Sequence, residues 1–127
     1  MSYELLRKMH FDLTSSIEYT RDKFDAWLTA VETEKRGKGD CEDYAIYWID
    51  HLQKLGFPCW MELVHTKNGN HAICVVEIEC RRYGFCGPRE PVKYVLDNAK
   101  RKPVKYRGYD TYETLTWEQV QERYSSW

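Results

Sequence analysis

Gly37-Lys38-Gly39-Asp40-Cys41-Glu42-Asp43-Tyr44-Ala45 is the stretch that decides the reading of this chain. Two glycines interrupt whatever precedes them, and an aspartate then stands where a helix would need an N-cap. With Cys41 set at zero and about 100 degrees added per residue, Ala45, Trp48, Leu52 and Leu55 fall within about 40 degrees of it. Asp43, Asp50 and Lys54 fall on the opposite side. Gly56 and Pro58 close the segment. The spacing therefore predicts a helix that starts at Cys41 and carries the thiol on its buried face. At that position the positive end of the helix would favour a thiolate.

Working outward, the apolar residues Phe24, Trp27, Leu28 and Val31 recur at helical spacing from about Asp22 to Gly37. Leu5, Leu6 and Met9 suggest a short N-terminal helix. After Pro58 the period changes to two. Cys59 to Val64 and His71 to Glu79 read as adjacent strands joined by a turn at Asn68-Gly69. Ala72, Cys74, Val76 and Ile78 share one strand face, and His71, Ile73 and Val75 share the other. A loop over 81–90 precedes a third strand from Pro91 to Leu96, broken by Asp97-Asn98. A further extended segment is expected over 104–112. Thr116 to Tyr124 reads as a helix with Thr116 as N-cap and Gln119 at the matching position. Helices followed by an antiparallel sheet predict a single α+β domain over residues 1–127.

Composition limits the function. The chain has 127 residues, 43% of them hydrophobic, and 19 basic against 20 acidic side chains give a net charge of -1. That balance supplies no bulk attraction to nucleic acid or to an anionic membrane, so neither is expected as a partner. The cluster Lys100-Arg101-Lys102, with Lys105 and Arg107, can bind an anion or simply form a solvated face. Residues 1–13 carry Glu4, Arg7, Lys8, His10 and Asp12, which leaves no apolar leader or span. Five cysteines leave at least one outside any intramolecular disulfide. A reduced, cytoplasmic setting is the expectation. Cys74, Cys80 and Cys86 are spaced too widely for a compact zinc site.

Cys41, His71 and Asp97 occur in the order of a nucleophile, its base and the acid that orients the base. The same residues can equally be a core cysteine, a turn histidine and a turn initiator. A tetrahedral oxyanion would take the Cys41 backbone N–H and a second donor from Trp27 or the 27–40 approach. Tyr109, Tyr112 and Trp117 are candidates to line a groove, or else core.

Four pieces of sequence carry a resemblance: Gly37 through Ala45, Leu55-Gly56, His71-Ala72 and Val95-Leu96-Asp97-Asn98. Together they resemble the bacterial transglutaminase-like cysteine proteinases, a papain-like family that includes periplasmic adhesin-processing proteases. The resemblance spans roughly residues 19–98. It implies a papain-like/transglutaminase-like core, Cys41 as nucleophile, His71 as base and Asp97 as orienting acid, acting on a protein or peptide amide. It also implies calcium at Asp40 and Glu42. Two side chains cannot complete a calcium shell of six to eight oxygens, so Asp22, Asp25 or Asp43, carbonyls and water would have to contribute. The chain departs from that family in being short and in lacking an export signal. A catalytically silent binding or inhibitory module and a protein-crosslinking acyltransferase are the alternatives on the same scaffold.

Overall fold

A computed structural model describes residues 3–21, 27–67, 69–79 and 91–123. The chain runs α1 (Tyr3–Ser16), β1 (Glu18–Tyr19), α2 (Ala30–Arg36), β2 (Lys38–Gly39), α3 (Cys41–Lys54), β3 (Cys59–Thr66), β4 (Gly69–Glu79), β5 (Pro91–Leu96), β6 (Val104–Lys105), β7 (Thr111–Leu115) and α4 (Trp117–Glu122). The five longer-range strands form an antiparallel sheet in the order β6-β5-β4-β3-β7. β1 and β2 form a separate parallel pair, which sets Tyr19 beside Gly39. The expected α+β architecture is therefore the observed one.

Helix α3 is held by its sequence at both ends. Asp40 and Asp43 make a reciprocal cap at the start, and Gly56, at φ 85, follows the last turn. Its apolar stripe lies on the β3–β4 face, where Trp48, Ile49 and Leu52 are fully buried against Met61, Cys74 and Val76. Truncating a buried tryptophan such as Trp48 to alanine would cost about 3–5 kcal/mol. Leu55, expected on that stripe, is instead 56% exposed, because the helix ends at Lys54 and Leu55 is its C-cap. Asp43, expected on the solvent side, is 1% exposed because the cap draws it inward.

Two other expectations change. The helix predicted from about Asp22 is only Ala30–Arg36, capped by Thr29 and Glu32 and ended by Gly37 in the left-handed region. Val31 is exposed and Trp27 precedes the helix; residues 22–26 lie outside the described residues. The single extended segment predicted over 104–112 is two strands at opposite edges of the sheet: β6 pairs with β5, and β7 with β3. Gly108, at φ 84, lies in the crossing between them. That crossing sets Tyr106 and Tyr109 against Val64, Ile73, Val75 and Val95 on the face opposite α3. Glu62 fastens it: its carboxylate accepts from Trp60 Nε1 at 2.9 Å, Tyr106 Oη at 2.8 Å and Thr111 Oγ1 at 2.8 Å. The predicted turn residue Asn68, the 81–90 loop, Cys80, Cys86 and Tyr124 fall outside the described residues.

Candidate active site

Cys41 is the first residue of α3, and the local sequence leaves its position little freedom. Asp40 donates its N–H to Asp43 Oδ2 at 3.0 Å, while its own Oδ1 accepts the Cys41 N–H at 2.6 Å. Gly39 is required beside this cap for want of space: a Cβ there would stand 2.8 Å from Asp43 Cβ. Tyr19 Oη also reaches Asp40 Oδ1, at 3.3 Å. Burial, then the Asp40 carboxylate, raises the Tyr19 phenol to about 12.

The Cys41 side chain is 8% exposed and its Sγ donates to Glu42 Oε2 at 3.2 Å. Burial pushes the thiol well above its ordinary range, and the negative charge of Glu42 pushes it further. The backbone N–H of Ala72 points the other way, favouring the thiolate, but is outweighed. The sequence led us to expect a thiolate favoured by the helix end. Burial, then the charges of Glu42 and Asp40, oppose that preference, and the Cys41 N–H, expected as an oxyanion donor, is bonded to the Asp40 cap.

His71 lies near the start of β4 and Asp97 just past the end of β5, strands that pair with Cys74 opposite Leu96. His71 Nε2 and Asp97 Oδ1 are 2.6 Å apart. A neutral imidazole that donates from Nε2 carries its lone pair on Nδ1, the tautomer a base needs. Asp97 is fixed on three sides. Its Oδ1 also accepts the Ala99 N–H at 2.8 Å, and its backbone carbonyl accepts Nε2 of His10 at 2.8 Å. His10 is 1% exposed and stacked on Trp48, with ring centroids 5.2 Å apart. Burial alone would raise the Asp97 carboxyl, but the hydrogen bond and charge of His71, the Ala99 N–H and Lys100 outweigh it and hold the group below its usual value.

Cys41, His71 and Asp97 line one cleft of about 1130 Å³. It opens where β3 ends, β4 begins, β5 ends and β7 begins, against the N-terminus of α3. Tyr109, Tyr112 and Trp27 wall it, whereas Trp117 packs against the core instead. Sequence reasoning missed Tyr19, His10 and Glu62. A histidine on the apolar face of α1 was a legible signal for His10. Glu62 and Tyr19 gave none, since their partners are distant in sequence.

Ligand atoms of Asp40, Cys41 and Glu42 lie within 4.8 Å of one another. The two carboxylates suit a hard cation such as calcium and the thiol does not. Asp43 Oδ2 is bonded to the Asp40 N–H, and Asp22 and Asp25 fall outside the described residues. Cys59 and Cys74 are buried thiols of the core. Among the described residues, no helix is long and apolar enough to cross a membrane.

Solved structures share this backbone. Legionella pneumophila LapG, treated with EGTA, matches with a TM-score of 0.66 and 23% identity over 87% of this chain and 61% of that one. A second LapG structure gives 0.66 and 22% over 91% and 66%, and the calcium-bound form 0.57 and 21% over 95% and 84%. This is the LapG fold. The chain spans less than two thirds of the first two LapG chains. No protein-family model and no curated protein sequence matches it. In this chain the cleft lies at the meeting of a helix N-terminus and a sheet end, with Asp40 and Glu42 among its lining residues.

Proposed function

We propose that the chain is a single catalytic domain, a cysteine peptidase or amidohydrolase, with Cys41 as nucleophile, His71 as base and Asp97 as the acid that orients it. The observation that carries this reading is the 2.6 Å His71–Asp97 hydrogen bond in the cleft that also holds Cys41. The substrate is a protein or peptide. His71 takes the thiol proton through its free ring nitrogen as Sγ attacks the amide carbonyl carbon, and Asp97 steadies the imidazolium. The imidazolium protonates the departing amine, leaving a thioester on Cys41. Water, deprotonated by His71, then releases the acid and restores the thiol. Burial and Glu42 raise the Cys41 thiol, which favours proton transfer to His71 during the attack. The oxyanion is served by a donor other than a Cys41 N–H that stays capped.

Asp40 and Glu42 are the residues that would hold calcium, as the calcium-bound form of the LapG fold suggests. A bound cation would supply positive charge beside the sulfur and compete for the carboxylate oxygens now bonded to the Cys41 N–H and thiol.

The test is mass-spectrometric detection of cleavage in a mixed peptide library, with calcium and with chelator, for the parent, Cys41→Ala and His71→Ala. Cleavage that disappears in both variants supports the reading. A folded parent that cleaves nothing, and whose Cys41 alkylates no faster than in His71→Ala, favours the silent binding scaffold, which the Cys41–Glu42 contact also suits. Products joined to lysine with loss of ammonia would identify a crosslinking acyltransferase.

A further inference from the structure

From residue 98 to residue 109 the sequence holds five basic side chains and no acidic one, in a chain whose net charge is -1. The fold gathers four of them around a second cavity of about 630 Å³, lined by Lys100, Lys102, Lys105 and Arg107 with Tyr3 and Tyr94. No carboxylate among the described residues lines it; Lys102, Lys105 and Arg107 enter no ion pair among the described residues, while Lys100 also faces Asp97 of the neighbouring cleft. The shape is held: Tyr3 Oη donates to the Pro103 carbonyl at 2.9 Å, tying the entry of β6 to α1, and its ring packs on Tyr94. Lys100 and Tyr109 line both this groove and the proposed catalytic cleft, so the two are neighbours. β6 is also an edge strand, and its outer side offers backbone groups to an extended chain.

The geometry points to this groove as the binding site for an acidic stretch of the polypeptide substrate, lying beside the amide that enters the cleft. The inference rests on the peptidase reading. Unneutralised cations in a concave site attract carboxylates and discriminate against neutral side chains. A peptide fits better than a nucleic acid because the groove adjoins the cleft proposed to cleave an amide, and the net charge of -1 gives no bulk attraction to nucleic acid.

The experiment is fluorescence anisotropy on Cys41→Ala protein, with a labelled peptide of alternating Glu and Ser, its Gln counterpart, and oligothymidylate of equal length. The Glu peptide is expected to bind at least about tenfold more tightly than the Gln peptide, and more weakly as salt is raised. Lys102→Glu with Arg107→Glu should lose about tenfold or more, and Lys102→Gln with Arg107→Gln an intermediate amount, with circular dichroism verifying the fold of each. Equal affinity for the Glu and Gln peptides, or undiminished binding by the Glu double variant, overturns the inference. Tighter binding of oligothymidylate overturns it in favour of a nucleic-acid site. None of these readouts needs catalysis, so a failed peptidase assay and a failed groove are separate results.

Discussion

Gly39→Ala tests whether Cys41 is placed by close packing or by helix propensity. The added Cβ would stand 2.8 Å from Asp43 Cβ and 3.1 Å from Asp43 Oδ2. Ordinary carbon contacts are about 3.5–4.0 Å, so one side must retreat by about 1 Å. Asp43 Cβ is rooted in the first turn of α3 and cannot swing away as the tip of a long side chain could. The retreat breaks the Asp40–Asp43 reciprocal bond, worth about 1 kcal/mol, and adds overpacking of about 1–3 kcal/mol. At about 2.1 cal/mol/K of unfolding entropy per residue, a loss of about 2–4 kcal/mol lowers Tm by about 8–15 °C. Gly37→Ala is the companion variant. Its φ of 69 strains an alanine, but no atom lies within 4 Å of the new Cβ, so only about 1 kcal/mol is expected. Thermal unfolding followed by circular dichroism compares the two. A Gly39→Ala loss no larger than that of Gly37→Ala would refute the packing argument.

Glu42→Gln removes the negative charge against the Cys41 sulfur, so the thiol pKa should fall and iodoacetamide labelling of Cys41 at pH 8 should accelerate by about tenfold; an unchanged or slower rate contradicts the account. Asp97 is held below its unfolded value, so its ionised form contributes stability above about pH 4 that is lost as pH falls through the folded pKa. The Tm gap between the parent and Asp97→Asn should accordingly be widest at neutral pH and close below about pH 4, as read by thermal melts across that range. His10→Phe keeps a ring against Trp48 but deletes the donor to the Asp97 carbonyl. It should cost about 1–3 kcal/mol and disturb the His71 side-chain nitrogen resonances, whereas an unaltered His71 spectrum would separate His10 from the site.

What could be read from the sequence was whatever rests on local spacing. The 3.6 period after Asp40, the alternation through His71 to Glu79 and the Thr116–Gln119 box each reappear as α3, β4 and the start of α4. The line-up of Cys41, His71 and Asp97 around one cleft was visible only as an order of residues and a family likeness. Where the reading failed, a longer-range constraint prevailed. Asp43 goes inward because its carboxylate answers the Asp40 N–H, which a helical wheel cannot register. The 104–112 stretch divides because its two ends serve strands at opposite edges of the sheet, a fact of topology with no local signature beyond Gly108. The balance between the helix end, which favours a thiolate, and the Glu42 carboxylate, which opposes it, depends on a distance and a burial that sequence spacing does not give.

The strand crossing from β6 to β7 bears on how the molecule is made. The hairpin β3–β4 joins neighbours, and α3 precedes it directly, so these parts can assemble while the chain is still emerging from the ribosome. Met61 must wait for Leu115, and Glu62 for Tyr106 and Thr111. The wall carrying Tyr109 and Tyr112 is thus the last side of the cleft to be delivered. Until then the nascent chain holds Cys41 in an open trough, with one side of the cleft still missing.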